Sequence, residues 1–157
     1  MIVVADTSPI NYLILIGEIE ILTKMYGRVV IPNAVREELQ RLSAPEVVRN
    51  WTKQPPAWLE VRTPAKSPDS SMSTLDPGER DAIILAEELG ADQLIVDDRQ
   101  GRREAEKRGI AVIGTLGVLR EAGSVGHIDL RTALSRLEET SFHIAPEIIE
   151  RLLKDET

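Results

Sequence analysis

Four short, nearly all-apolar runs, each followed by residues at helical spacing, constrain this chain more than any other feature. They are "IVVA" (2–5), "RVVIP" (28–32), "QLIVD" (93–97) and "IAVIG" (110–114). Strands that do not alternate with polar residues belong in a parallel sheet covered on both faces. Joining parallel strands takes a right-handed crossover, so the expected class is α/β. In such sheets function gathers beyond the carboxyl ends of the strands.

The segments between the strands read as helices. "DTSP" follows the first strand, where Thr7 or Ser8 can cap a helix and Pro9 suits its first turn. "INYLILIGEIEILTKMYG" is one broken helix or two short ones, interrupted near Gly17 and stopped at Gly27. Pro32 opens "NAVREELQRL", a further helix covers "PEVVRNWTK", and "WLEVR" is an edge strand. Residues 63–76, rich in Pro and Ser, read as a mobile loop. Helices follow from Pro77 to Gly90, over "RQGRREAEKRG" and over "TLGVLREAG". "IDLRTALSRLEE" and "APEIIERLLKDE" close the chain as a helical extension over 124–157. With no repeat and no linker, the 157 residues are expected to form a single domain, 1–157, with that extension packed on it.

Composition removes several functional classes. The chain has no cysteine, which excludes disulfides and thiolate metal sites and suits a reducing cytoplasm. "MIVVADTSP" has neither a basic leader region nor a cleavage site, and "YLILIG" is too short to span a bilayer. A cytoplasmic protein without membrane contact is expected. The net charge of −7 argues against a broad electrostatic grip on nucleic acid, though it leaves room for a local one.

That acidity has a pattern. Asp6 ends the first strand, and Asp97 with Asp98 ends the third apolar run. Acids there also favour the dipole of the helix that follows. In "NAVREELQRL", steps of about 100° put Val35, Glu38, Leu39 and Leu42 on one face and Glu37 opposite. An inward carboxylate is costly unless an arginine or a bound cation meets it. In "PGERDAIILAEELG" the apolar face centres on Ala82, Leu85, Ala86 and Leu89, with Glu79 on it and Asp81 at its flank. First-turn acids are common, and helical geometry alone does not choose between these two.

Acids from four segments thus converge on one end of the sheet. Two carboxylates about 5 Å apart repel by roughly 3 kcal/mol at an effective dielectric near 20. Several can share a cleft only with a cation present or with protons taken up. All-oxygen ligands select hard ions such as Mg²⁺ or Mn²⁺, whose chemistry is phosphoryl transfer or phosphodiester hydrolysis.

At these residues the chain resembles the PIN-domain family of metal-dependent ribonucleases. The likeness runs through "VVADTSPI", "VVIPNAVREEL", "LDPGERDAIILA", "LIVDDRQGRREAEKRGIAVIGTLGVL" and "SFHIAPEIIERLL". The branch it is most similar to is the VapC-like group, many of whose members are toxins of type II toxin–antitoxin pairs. The resemblance implies a three-layer α/β/α sandwich around a central, mainly parallel sheet of four to five strands. It also implies Asp6, Glu38, Asp81 and Asp98 as catalytic residues holding Mg²⁺ or Mn²⁺, with Thr7, Ser8, Glu79 and Asp97 accessory. The implied activity is hydrolysis of single-stranded RNA, and a homodimer and an antitoxin partner are implied with it.

Arg99, Arg102 and Arg103, with Lys107 and Arg108, form a basic strip able to meet an RNA backbone. For the last two, pairing to Glu104 and Glu106 along the helix is an equal alternative. Tyr12 and Trp58 can stack on bases or serve as core and rim. His127 and His143 have no ligand spacing. "LIVDDR" is also similar to a response-regulator strand, but no second acid-tipped strand follows, and "DTS" lacks the second Asp of a haloacid-type phosphatase.

The rival from another class is a catalytically weak PIN fold serving as an RNA-binding or assembly module. Leu130, Leu134 and Leu137, then Ile148, Ile149 and Leu152, would suit a dimer or antitoxin groove, or would simply cap the sheet.

Overall fold

The structure is a computed structural model and describes residues 1–154. Its five strands are β1 (Val3–Ala5), β2 (Val29–Pro32), β3 (Leu59–Arg62), β4 (Gln93–Ile95) and β5 (Val112–Ile113). They form one sheet in the order β3-β2-β1-β4-β5, with every pairing parallel. The parallel α/β class expected from the apolar runs is therefore observed. "WLEVR" supplies the edge strand β3.

Nine helices are described: α1 (Thr7–Leu15), α2 (Ile21–Tyr26), α3 (Asn33–Leu39), α4 (Glu46–Lys53), α5 (Pro77–Leu89), α6 (Arg99–Lys107), α7 (Thr115–Ser124), α8 (Leu130–Glu138) and α9 (Pro146–Lys154). The sequence reading carried the last of these to Glu156; Asp155 and Glu156 lie outside the described residues. Side chains alternate across β1: Val3 and Ala5 face one buried cluster, Val4 the other. The first cluster takes Ile10 and Leu13 of α1, Leu39 of α3, Leu119 of α7 and Leu134 of α8. The second takes Ile83 and Leu85 of α5 and Ala105 of α6. The sheet is thus covered on both faces, which is why its strands can be apolar throughout. Truncating a fully buried residue such as Leu13 to Ala should cost about 2–5 kcal/mol.

This order places the site. β1 is central, with β2 on one side and β4 on the other, so the chain leaves β1 at a topological switch point. Ala5 pairs with Ile95, and the Asp6 N–H donates to the Ile95 carbonyl at 2.9 Å. Register alone therefore brings Asp6 beside the Asp97–Asp98 pair.

Three local expectations are corrected. The helix expected over 33–42 ends at Leu39, and Leu42 is 90% exposed. The chain turns away there because the Gln40 side-chain amide donates to the Thr52 carbonyl and ties the end of α3 to α4. Thr7 and Ser8 do not cap α1; Asp6 occupies the cap position, and both hydroxyls donate across the site instead. The 63–76 segment, expected to be mobile, is tied down. Met72 and Leu75 are buried, Glu88 accepts the N–H groups of Ala65 and Lys66, and Asp69 meets Arg108 at 2.9 Å.

The apolar face of α8 turns inward. Leu130, Leu134 and Leu137 are at most 1% exposed and join Leu152 of α9 in the first cluster. Among the described residues, no helix is long and apolar enough to cross a membrane.

Candidate active site

A cavity of about 520 Å³ opens beyond the carboxyl ends of β1 and β4. Six carboxylates line it: Asp6, Glu38, Asp76, Glu79, Asp97 and Asp98, and no lining residue is cationic. Thr7, Ser8, Asn11 and Tyr12 of α1 complete the wall. Of the acids expected from sequence, only Asp81 is missing. It sits outside the cavity, 3.3 Å from the Arg80 guanidinium. Its neighbour on the apolar side of α5, Glu79, points in and is 8% exposed.

Each acid has a local reason to be where it is. Asp6 follows the central strand and is 5% exposed. Glu38 lies one turn along α3 from Val35 and is held from two sides. One oxygen accepts the Thr7 hydroxyl, and the other accepts the Gly78 N–H at 3.1 Å. Asp97 anchors three elements. It accepts the Thr115 N–H and hydroxyl, both at 2.7 Å, and the Ser8 hydroxyl at 3.0 Å. Asp98 caps α6 through the N–H groups of Gln100 and Gly101. Cap and site are therefore not competing roles for Asp98; one carboxylate does both.

Asp76 was not singled out in the sequence. It caps α5 by accepting the Glu79 N–H at 2.9 Å, with Pro77 in the first turn. The signal was present, since "DPGE" is an acidic cap followed three residues on by Glu. A complete capping box would turn Glu79 back toward the cap. Here Glu79 Oε2 is buried without a hydrogen-bond partner.

Two glycines give the acids room. A Cβ on Gly78 would stand 2.6 Å from Glu38 Oε2, and one on Gly101 would stand 2.6 Å from Glu79 Oε2. Neither position could carry a side chain without displacing a carboxylate.

Crowding raises the proton affinity of the most enclosed acids. Burial pushes Asp6 up to about 7, and the charges of Asp76, Glu38 and Asp97 add to it against the Thr7 N–H. Burial pushes Glu79 up to about 9, helped by hydrogen bonding to Asp76 and by the charges of Asp76, Asp6 and Asp98. Besides Glu79 Oε2, Asp6 Oδ1 is buried and unpartnered. Two buried orphan oxygens in a cavity whose charged groups are all carboxylates fit a hard divalent cation. Among the described residues, no three acids close on a single point as a ready-made ligand set. They surround a volume instead, with space for an ion that keeps several waters.

The basic strip divides. Arg108 is committed to structure, bridging Glu104 and Glu87 at 2.8 Å and Asp69 at 2.9 Å. Arg99, Arg102 and Arg103 line a second cavity of about 400 Å³ that shares Asp97 with the first. Trp58 packs on Trp51 against the core, whereas Tyr12 stands at the rim.

The family model described as DUF3368, PIN domain, matches residues 2–156. A solved structure of a PilT N-terminus domain protein, SSO1118 from the hyperthermophilic archaeon Sulfolobus solfataricus P2, has the same fold. Its TM-score is 0.53 at 20% identity, over 92% of this chain and 100% of that one. No curated protein matches. The family match spans nearly the whole chain, and by it this chain belongs to the PIN-domain family.

Proposed function

We propose that this protein is a Mg²⁺- or Mn²⁺-dependent endoribonuclease that hydrolyses phosphodiester bonds of single-stranded RNA. The observation that carries the reading is the pair of buried, unpartnered carboxylate oxygens, Asp6 Oδ1 and Glu79 Oε2, in a cavity lined by six acids. PIN domains are in general nucleases, and five of the six acids expected from the family likeness line this cavity, Asp81 being the exception. A bound divalent ion would supply a more acidic water and a counter-charge for the phosphodiester.

The protein's own groups divide the remaining work. Asp6 and Glu79 would hold the ion most closely, releasing protons as it enters. Glu38 and Asp98 would orient its waters from positions fixed by the Thr7 hydroxyl and the N–H groups of Gly78, Gln100 and Gly101. Ser8 and Thr115 hold Asp97 so that it cannot swing away. Asp81, outside the cavity and beside Arg80, would act on the site indirectly. Arg99, Arg102 and Arg103 would take the phosphates next to the one cleaved, so that a protein of net charge −7 binds RNA through a local strip.

The order of the motifs supports a VapC-like toxin role within this reading, with an antitoxin and a second copy of the chain as partners. The rival use of the last helices as an open docking groove has less support, because α8 spends its apolar face on the core.

The test is cleavage of a mixed-sequence single-stranded RNA with and without Mn²⁺, comparing the wild type with Asp6→Asn. Cleavage that needs Mn²⁺ and is lost in the variant is expected. Equal traces from both proteins would defeat the nuclease reading.

A further inference from the structure

On the other side of Asp97 from the acidic cavity lies a cleft of about 440 Å³ that the proposed chemistry does not use. Arg102, Gly114, Leu116, Gly117, Phe142 and His143 line it, and its volume is within the ~300–1,000 Å³ of ligand pockets. Asp97 borders this cleft, the arginine-lined cavity and the acidic cavity alike, and Arg102 borders the first two. Three kinds of surface therefore meet around one residue: acidic, then mainly cationic, then half apolar with an aromatic wall. A nucleotide beside a cleaved bond presents its groups in that same succession. The scissile phosphodiester needs a cation, the next phosphate needs a guanidinium, and the base needs a flat apolar slot.

The cleft has the features of a slot. A Cβ on Gly117 would lie 2.6 Å from the Ile113 side chain, and one on Gly114 would lie 3.0 Å from Asp97 Oδ1 and 3.4 Å from the Arg102 guanidinium. The bare backbone at both places lets Ile113, Asp97 and the Arg102 guanidinium pack directly against the wall of the cleft. Phe142 forms a wall and meets the Tyr12 ring edge-on, with centroids 5.0 Å apart and planes at 83°. Tyr12 itself lines the acidic cavity and is fixed by a hydrogen bond to Ser141. One aromatic pair therefore joins the two cavities at their shared rim. His143, unassigned in the sequence, stands exposed beside it.

Charge points to the same occupant. Arg99, Arg102 and Arg103 make no ion pair among the described residues, whereas Arg108, at the end of the same helix, makes three. Unspent guanidinium groups beside an aromatic slot suit a phosphate and its base. A base must be free of its partner strand to enter, which selects single-stranded ligands.

We propose that the cleft between Arg102, Gly114, Gly117, Phe142 and His143 is a nucleobase subsite. It holds one unstacked base of a single-stranded RNA beside the cleaved bond, with that nucleotide's phosphate on Arg102. The proposal rests on the nuclease reading for its placement and is tested without relying on cleavage.

Anisotropy of a labelled single-stranded oligoribonucleotide is measured in Ca²⁺, with an abasic residue moved along the strand. The wild type is expected to lose affinity about tenfold when the abasic residue reaches one particular position. Phe142→Leu should bind the intact strand about tenfold more weakly and show no abasic penalty there, and Phe142→Trp should restore both. Circular dichroism establishes that each variant is folded. If Phe142→Leu unfolds, the exposed His143→Ala must weaken the intact strand more than the abasic one. An abasic penalty of equal size in wild type and variants, or none at any position, overturns the subsite. Position-specific binding without Mn²⁺-dependent cleavage overturns the nuclease reading alone.

Discussion

The Gly78 N–H donates to Glu38 Oε1 at 3.1 Å, and a Cβ on that glycine would stand 2.6 Å from the other oxygen of the same carboxylate. The first turn of α5 and the last turn of α3 are thus fitted to each other through one acid. Gly78→Ala should move Glu38 and lower Mn²⁺-dependent cleavage by about tenfold or more, while the melting temperature falls only modestly. A variant with wild-type turnover would show that the position of Glu38 is not needed.

Thr115 is fully buried and spends both its N–H and its hydroxyl on Asp97. Thr115→Val removes the hydroxyl and keeps the shape. Losing that charge-assisted bond should cost about 1–3 kcal/mol of stability, read by urea denaturation. Cleavage should fall as well, because Asp97 keeps only Ser8 and the Thr115 N–H. Thr115→Ser should retain most of both.

The arginines of α6 and the residue after it separate by experiment. Arg102→Ala should weaken RNA binding and lower the slope of log affinity against log salt by about 0.7, the value for one phosphate contact on a single strand. Arg108→Ala should leave that slope unchanged and instead lower the melting temperature, because its partners Asp69, Glu87 and Glu104 hold the 63–76 segment to α5 and α6. The reverse pattern would exchange the two roles.

Proton affinity gives a stability signature. Asp6 and Glu79 have folded pKa values raised to about 7 and about 9 from 3.8 and 4.5. From about pH 4 to about pH 9 the folded state therefore binds more protons than the unfolded chain, and cation-free stability must fall as pH rises through that window. The melting temperature in a chelator should be higher near pH 5 than near pH 9. Glu79→Gln should flatten the upper part of the profile and Asp6→Asn the lower. A melting temperature that rises toward pH 9 without cations would contradict the assignment.

How far the sequence disclosed this site depends on what fixes each residue. Asp6, Asp97 and Asp98 were readable because they end apolar strands, and a strand end in a parallel sheet has a known address. Glu38 was readable from its angle on α3 between Val35 and Leu39. Glu79 against Asp81 is a question of rotation about α5. The apolar face of that helix carries Glu79 with Asp81 at its flank and does not choose between them, family likeness points to Asp81, and in the structure Glu79 enters the cavity. Asp76 was hidden in plain sight as an ordinary helix cap. Thr115, Gly78 and Gly101 were not legible, because their partners lie 18 to 40 residues away along the chain or on another helix and depend on register between elements. The early end of α3 was missed because a tertiary bond, Gln40 to Thr52, outweighs local periodicity.

The central claim is that these acids form one pocket whose mutual repulsion a divalent cation relieves. Titration calorimetry of the wild type with MnCl₂ at pH 7, run in two buffers of different ionisation enthalpy, measures this directly. Binding heat that differs between the buffers is expected, because Asp6 and Glu79 give up protons as the ion enters, with a loss of that heat in Asp6→Asn. No heat on adding manganese, or heat independent of both buffer and Asp6, would contradict it.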